Sequence, residues 1–112
     1  MKLITAVVKP FALGEIHANL HRLGITGMTA TEVLGYGRQR GRTEVYRGAE
    51  VATEFVDKVK IEVLSTDGDV DAICAAVIAA ARTGGVGDGK LWVTDLERVV
   101  RVRTGETGDE AI

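Results

Sequence analysis

Residues 82–90 read Arg82-Thr83-Gly84-Gly85-Val86-Gly87-Asp88-Gly89-Lys90, four glycines between an arginine and a lysine, with Arg101 and Arg103 a short way downstream. The chemistry this favours is anion binding. Glycines let backbone N–H groups approach a phosphate that a β-carbon would hold off, and lysine and arginine supply charge without closing the approach. Residues 84–90 also fit G-x-x-x-x-G-K, but Leu91 follows where a P-loop has the Ser or Thr that binds magnesium. A P-loop also joins a strand to a helix, whereas this run follows an alanine-rich helical stretch (69–82) and precedes Leu91-Trp92-Val93, a predicted strand. Any nucleotide held here therefore needs another architecture, and a plain helix-to-strand connection accounts equally well for the glycines alone.

The elements that must position this loop follow from periodicity. With 112 residues, 46% hydrophobic and 27% charged, the chain suits one globular domain, 1–112. A net charge of −2 argues against a general nucleic-acid surface, so an anion site has to come from local clustering. Residues 3–8 form a β-rich run ending at Lys9-Pro10; Leu13, Ile16, Leu20 and Leu23 then recur at helical spacing until Gly24. Residues 28–36 are a second β-like run, and 56–64 a third, in which Val59, Ile61 and Val63 alternate with Lys58, Lys60 and Glu62. A helix over 69–82, the strand 91–93 and a last strand near Val99 to Val102 complete a ferredoxin-like βαββαβ order of α+β class. Cys74, the single cysteine, falls on the apolar face of the second helix and reads as a small core residue. Nothing in 1–8 looks like a leader or a membrane span, which predicts a cytoplasmic protein.

Two features exceed a bare scaffold. Both helices of such a unit cover one sheet face, so Leu3, Thr5, Val7 and Leu64 on the other face suggest an oligomer; a monomer with scattered exposed apolar groups is the competing account. Residues 37–55 form a 19-residue connection between the second and third strands, longer than compact domains ordinarily carry. It holds Arg38, Arg40, Arg42, Tyr46 and Arg47, with Gly41 and Gly48 to bend it. It suits a switchable interaction loop, while a β-hairpin pairing 43–46 with 51–55 competes.

The ordered motifs Val8-Lys9-Pro10-Phe11, Gly24-Ile25-Thr26-Gly27-Met28-Thr29, Gly35-Tyr36-Gly37-Arg38-Gln39, Thr43-Glu44-Val45-Tyr46-Arg47-Gly48-Ala49-Glu50, Ala81-Arg82-Thr83-Gly84, Gly87-Asp88-Gly89-Lys90 and Arg101-Val102-Arg103-Thr104-Gly105-Glu106 resemble the PII family of nitrogen-regulatory signal-transduction proteins. The resemblance runs end to end. It implies a ferredoxin-like homotrimer whose clefts between subunits bind ATP or ADP competitively, a T-loop over 37–55 that engages target proteins according to the ligands bound, and a C-terminal segment over 101–112. Carried onto this chain, it implies nucleotide contacts from Val7, Thr29, Gly35, Gly37, Arg38, Gln39, Leu64, Gly87, Asp88, Gly89, Lys90, Arg101 and Arg103. Adenine would lie against Val7 and Leu64 near Thr29, and the glycines and basic residues would face the phosphates. Gln39 resembles the residue that completes a magnesium shell with ATP and 2-oxoglutarate, Gly41 lies in the same stretch, and Lys58 resembles the partner of the distal carboxylate. Alternation puts Lys58 on the non-core face, where an ordinary surface lysine is the other account. Arg101 and Arg103 are two apart on the last predicted strand and so share a face.

Departures limit the transfer. Val51 and Ala49 stand where relatives carry a modified tyrosine or serine, so no hydroxyl is available and ligand binding is the expected input. Asp57 replaces a usual proline and Gly85 a common lysine; Tyr36 and Trp92 stand where phenylalanine is frequent. Tyr46, Arg47 and Gly48 resemble the loop tip that meets a partner such as an ammonium channel, a nitrogen-metabolic enzyme or a regulator, with membrane contact only through that partner. An RNA-binding role would need aromatic residues on central strands, and Phe11 and Phe55 are expected outside them. His17 and His21 are i,i+4 without an evident third metal ligand, and read as a helix flank. Asp88 is the only obvious carboxylate beside the phosphates, so a dedicated enzyme is not expected. The alternative is a nucleotide-binding interaction module with weak ATPase activity and no 2-oxoglutarate response.

Overall fold

The computed structural model describes residues 1–37, 43–46, 49–52 and 55–112. Strands β1 (Lys2–Val8), β2 (Thr29–Tyr36), β5 (Phe55–Ser65) and β6 (Lys90–Asp95) form one antiparallel sheet in the order β2-β5-β1-β6. Helices α1 (Leu13–Arg22) and α2 (Val70–Ala81) pack on one of its faces. This is the predicted ferredoxin-like arrangement.

Alternation along the central strands explains that layering. Ile4, Ala6 and Val8 of β1 and Val59, Ile61 and Val63 of β5 are buried with Ile16 and Leu20 of α1 and Ile73, Val77 and Ala81 of α2 in a single apolar core. Pro10 opens a 3-10 turn (Pro10–Ala12) that delivers the chain into α1. The helix ends where Leu23 and Gly24 donate back to the Leu20 and His21 carbonyls, Gly24 at φ +82°. A second 3-10 turn (Asp67–Asp69) leads into α2, which begins at Val70, just inside the expected bounds.

The opposite sheet face has no helix on it. The register aligns Thr31, Lys60, Val7 and Lys90 in one row across all four strands, and Thr29, Glu62, Thr5 and Trp92 in the next. Leu3 and Leu64 pair beyond them. The expected second face is therefore present, part apolar and part charged.

Three expectations change. The 99–102 segment is not a strand: Val100 makes one isolated bridge to Thr107, Gly105 donates to the Arg101 carbonyl at 2.7 Å and Arg101 to the Glu106 carbonyl at 2.9 Å. Gly105, at φ +75°, folds the chain back on itself before any ladder can form, so Arg101 and Arg103 do not share a strand face. Phe55 is not outside the central strands; it is the first residue of β5, opposite Tyr36. Between β2 and β5, β3 (Thr43–Tyr46) and β4 (Ala49–Ala52) form a hairpin as a separate two-stranded sheet, Tyr46 opposite Ala49 and Thr43 opposite Ala52. Its return strand lies earlier than the expected 51–55, because Phe55 belongs to the main sheet. Arg38, Gln39, Gly41, Arg47 and Gly48 lie outside the described residues.

Candidate functional site

The glycine loop is held by Asp88. As α2 ends, Arg82 turns extended while its N–H still reaches the Ile78 carbonyl. One oxygen of the Asp88 carboxylate accepts the Thr83 and Gly84 N–H groups at 2.8 and 2.9 Å; the other accepts the Thr83 hydroxyl at 2.5 Å and the Lys9 ammonium at 3.3 Å. The Thr83 hydroxyl and N–H, with Gly84 and Lys9, hold the Asp88 carboxyl well below the usual carboxylate range against a smaller opposing effect of burial. Asp88 is thus an ionised clasp whose oxygens are engaged by the loop itself, which disfavours it as a catalytic base.

Gly84, Gly87 and Gly89 all have positive φ, at +85°, +95° and +98°. At Gly89 the reason is also steric: a β-carbon would lie 1.9 Å from the Val7 carbonyl oxygen, so only glycine lets the loop pass this close to β1. The result is a turn of backbone against the end of β1, with Lys90 following as the first residue of β6 and paired with Val7.

Lys58 meets this loop from β5. Its alternation with Val59 puts it on the uncovered face as expected, but it is no ordinary surface lysine: only 8% of it is exposed, and its ammonium donates to the Gly87 carbonyl at 2.5 Å. Burial pushes its pKa down, the nearby Lys9 adds to that, and Asp88 partly offsets both.

Between loop, β1, β2 and β5 opens a cavity of about 670 Å³. It brings together Val7, Gly35, Gly37, Lys58, Gly87, Asp88, Gly89 and Lys90 among the expected site residues. Tyr36, Val56, Val86 and Trp92 supply apolar wall. That volume is in the range of small-molecule sites. A smaller cavity of about 300 Å³ lies at the end of α2, between Val77, Ile78 and Arg82 and the same Asp88-Gly89-Lys90 backbone.

Among the described residues, the other expected ones, Thr29, Leu64, Arg101 and Arg103, do not line the cavity. Thr29 lies six residues from Gly35 on β2 and Leu64 six from Lys58 on β5, each separation about 20 Å along a strand. Arg101 pairs with the Glu106 carboxylate at 3.0 Å and donates to the Glu110 carbonyl at 2.9 Å, and Arg103 is exposed in the same turn. The expected contacts therefore divide into two sets on the chain.

Lys9, Thr83 and Trp92 join the site without having been assigned to it. Trp92 was within reach of sequence reasoning, since it stands two residues after Lys90 and shares its strand face. Lys9 and Thr83 were not, because their place depends on the Asp88 clasp. His17 and His21 have ring centroids 6.4 Å apart on α1, and among the described residues no group of three acidic, His or Cys side chains could hold a metal.

A family model described as "Nitrogen regulatory protein P-II" matches residues 1–106. The chain is 54% identical to the "Nitrogen regulatory protein P-II" of Klebsiella oxytoca and 53% identical to that of Pasteurella multocida (strain Pm70). It is 53% identical to the "Nitrogen regulatory protein P-II 1" of Escherichia coli (strain K12), and all three alignments span 112 residues, the whole of both chains.

Proposed function

The chain belongs to the P-II family of nitrogen regulatory proteins, and from that premise we propose that it is a sensor that binds ATP and ADP competitively and regulates target proteins through the 37–55 loop. The carrying observation is the division of the expected contacts. A cavity walled by Val7, Gly35, Lys58 and the glycine loop lies at one end of the uncovered sheet face, while Thr29, Leu64, Arg101 and Arg103 lie elsewhere on the same chain. A second copy would supply the missing set. The site is then complete only between copies, and the uncovered face gains a partner by the same contact. The family resemblance makes that assembly a homotrimer.

The residues present fit a nucleotide. The glycine-loop backbone and Lys90 suit phosphates, and Val7 and Trp92 offer apolar surface to a base. Magnesium, when bound with ATP, would supply a hard cation for oxygen ligands; Gln39 is the residue assigned to it. 2-Oxoglutarate is assigned to Gln39, Gly41 and Lys58. Val51 and Ala49 have no hydroxyl, so these ligands are the inputs rather than modification at those positions. Tyr46, Arg47 and Gly48 would meet the target. That target is a nitrogen-metabolic enzyme, a regulator or an ammonium channel, and the protein acts from the cytoplasm, reaching a membrane only through such a partner. No helix among the described residues is long and apolar enough to cross a membrane.

Calorimetric titration tests this reading. ATP and ADP should displace one another, and 2-oxoglutarate should bind with ATP and magnesium but not with ADP. Lys90→Ala and Arg101→Ala should each lose a charge-assisted bond of about 1.5–3 kcal/mol, which weakens ATP roughly ten- to a hundredfold. Unchanged affinity in both variants would remove the site assignment. ATP binding without any 2-oxoglutarate response would favour the nucleotide-binding module instead.

A further inference from the structure

Lys58 lies on a sheet face that has no helix over it, yet among the described residues it is the one charged side chain that is buried. Lysines in such places ordinarily extend their ammonium into water. Among the described residues, contacts with Gly35 and Gly87 help to hold this one inside. Its stem crosses the neighbouring strand at Gly35, where a β-carbon would lie 2.8 Å from Lys58 Cγ. Its head donates to the Gly87 carbonyl at 2.5 Å, 29 residues further along the chain.

We propose that Lys58 is a positioning residue of the nucleotide site itself: it fixes the Gly87–Asp88 peptide of the glycine loop before any acid effector arrives, and Gly35 is needed to let its stem pass. The inference rests on the nucleotide reading above and adds a task for Lys58 that does not involve 2-oxoglutarate.

In a trans peptide the carbonyl and the following N–H point in opposite directions, so aiming the Gly87 carbonyl at Lys58 turns the Asp88 N–H the other way. Gly87, at φ +95°, and Gly89, at φ +98°, offer little torsional resistance of their own to rotation of the intervening peptides. Orientation has to come from side-chain anchors, one within the loop and one from β5. At one end the Asp88 carboxylate grips the Thr83 and Gly84 N–H groups, and at the other the Lys58 ammonium grips a carbonyl. An anion grips N–H donors and a cation grips a C=O acceptor, so both anchors are charge-assisted. Burial disfavours the charged form of Lys58, which makes its hydrogen-bonded partner necessary rather than incidental. A preset loop avoids ordering its peptides when phosphate binds.

The test uses the full chain as Lys58→Met, which keeps the stem and removes the ammonium, and Gly35→Ala, which crowds the stem and keeps the ammonium. Met removes a buried charge, so folding should persist; circular dichroism checks it. ATP and ADP affinities are measured with magnesium and 2-oxoglutarate absent, and amide hydrogen exchange of residues 84–89 is measured without ligand. Both variants should weaken ATP and ADP about tenfold and raise exchange in the loop. Lys58→Met affinity within twofold of the natural chain overturns the proposal, whatever the exchange. So does weaker binding with unchanged exchange, since Lys58 would then act on the ligand directly. If the natural chain binds no ATP, the nucleotide reading fails and takes this role with it, and the exchange result then decides only whether Lys58 holds the loop.

Discussion

At the scale of single residues, the glycine loop separates positions that look alike in sequence. Gly84 and Gly89 both have positive φ, but a β-carbon at Gly84 meets open space while one at Gly89 strikes the Val7 carbonyl. Gly84→Ala should cost about 1–2 kcal/mol from backbone strain alone. Gly89→Ala adds a clash with backbone that cannot move aside, so it should lower the thermal midpoint by a visibly larger amount and weaken ATP as well. Equal midpoints for the two variants in a melting experiment would contradict the close approach. Asp88 carries a pH signature. Its folded-state pKa lies below the ordinary 3.8, so its contribution to stability is fully present above that value and is lost as pH falls through the depressed one. The stability difference between the natural chain and Asp88→Asn should therefore be constant from neutral pH to about pH 5 and shrink below pH 4, which denaturant titrations at several pH values would detect.

At the scale of elements, the sequence was legible wherever a local pattern coincided with a layer. Val59, Ile61 and Val63 alternate in β5, and all three are core; Ile16 and Leu20 repeat at helical spacing, and both are buried. It was not legible where the outcome depended on distant backbone. The alternation of Lys58 was readable, but its burial was not, since that needs Gly35 on one strand and Gly87 in a remote loop. The valines of 99–102 have strand propensity but join no ladder of the main sheet, because the Arg101–Glu106 turn captures their backbone. The division of the expected contacts between two regions of the chain is likewise absent from any linear motif. The β3–β4 hairpin pairs with itself and not with the main sheet. Deleting residues 43–52 should accordingly leave the thermal midpoint within a few degrees of the natural chain and leave ADP binding intact, while capture of target proteins is lost. A large drop in midpoint would mean the hairpin belongs to the fold.

At the scale of the whole molecule, the two sets of site residues lead to an experiment on mixtures. If one copy contributes Lys90 and the next contributes Arg101, then Lys90→Ala and Arg101→Ala subunits refolded together should form some sites with both residues intact. ATP binding should reappear in the mixture at a fraction of the natural capacity but with natural affinity, although neither variant alone binds well. If mixed assemblies form and no such sites appear, the two residues serve the same copy and the division read from the structure is misassigned.

Trp92 is the only tryptophan in the chain, 45% exposed, and it forms part of the wall of the larger cavity on the uncovered face. Indole emission shifts to the blue as water leaves the ring and is quenched or enhanced by groups that stack on it. The molecule therefore carries a native optical probe where nucleotide, loop root and neighbouring copy are proposed to converge, with no competing indole elsewhere. Ligand arrival and subunit contact should alter its spectrum on different concentration scales, one set by the ligand and one by the protein, so unlabelled protein suffices to follow both and to order them in time.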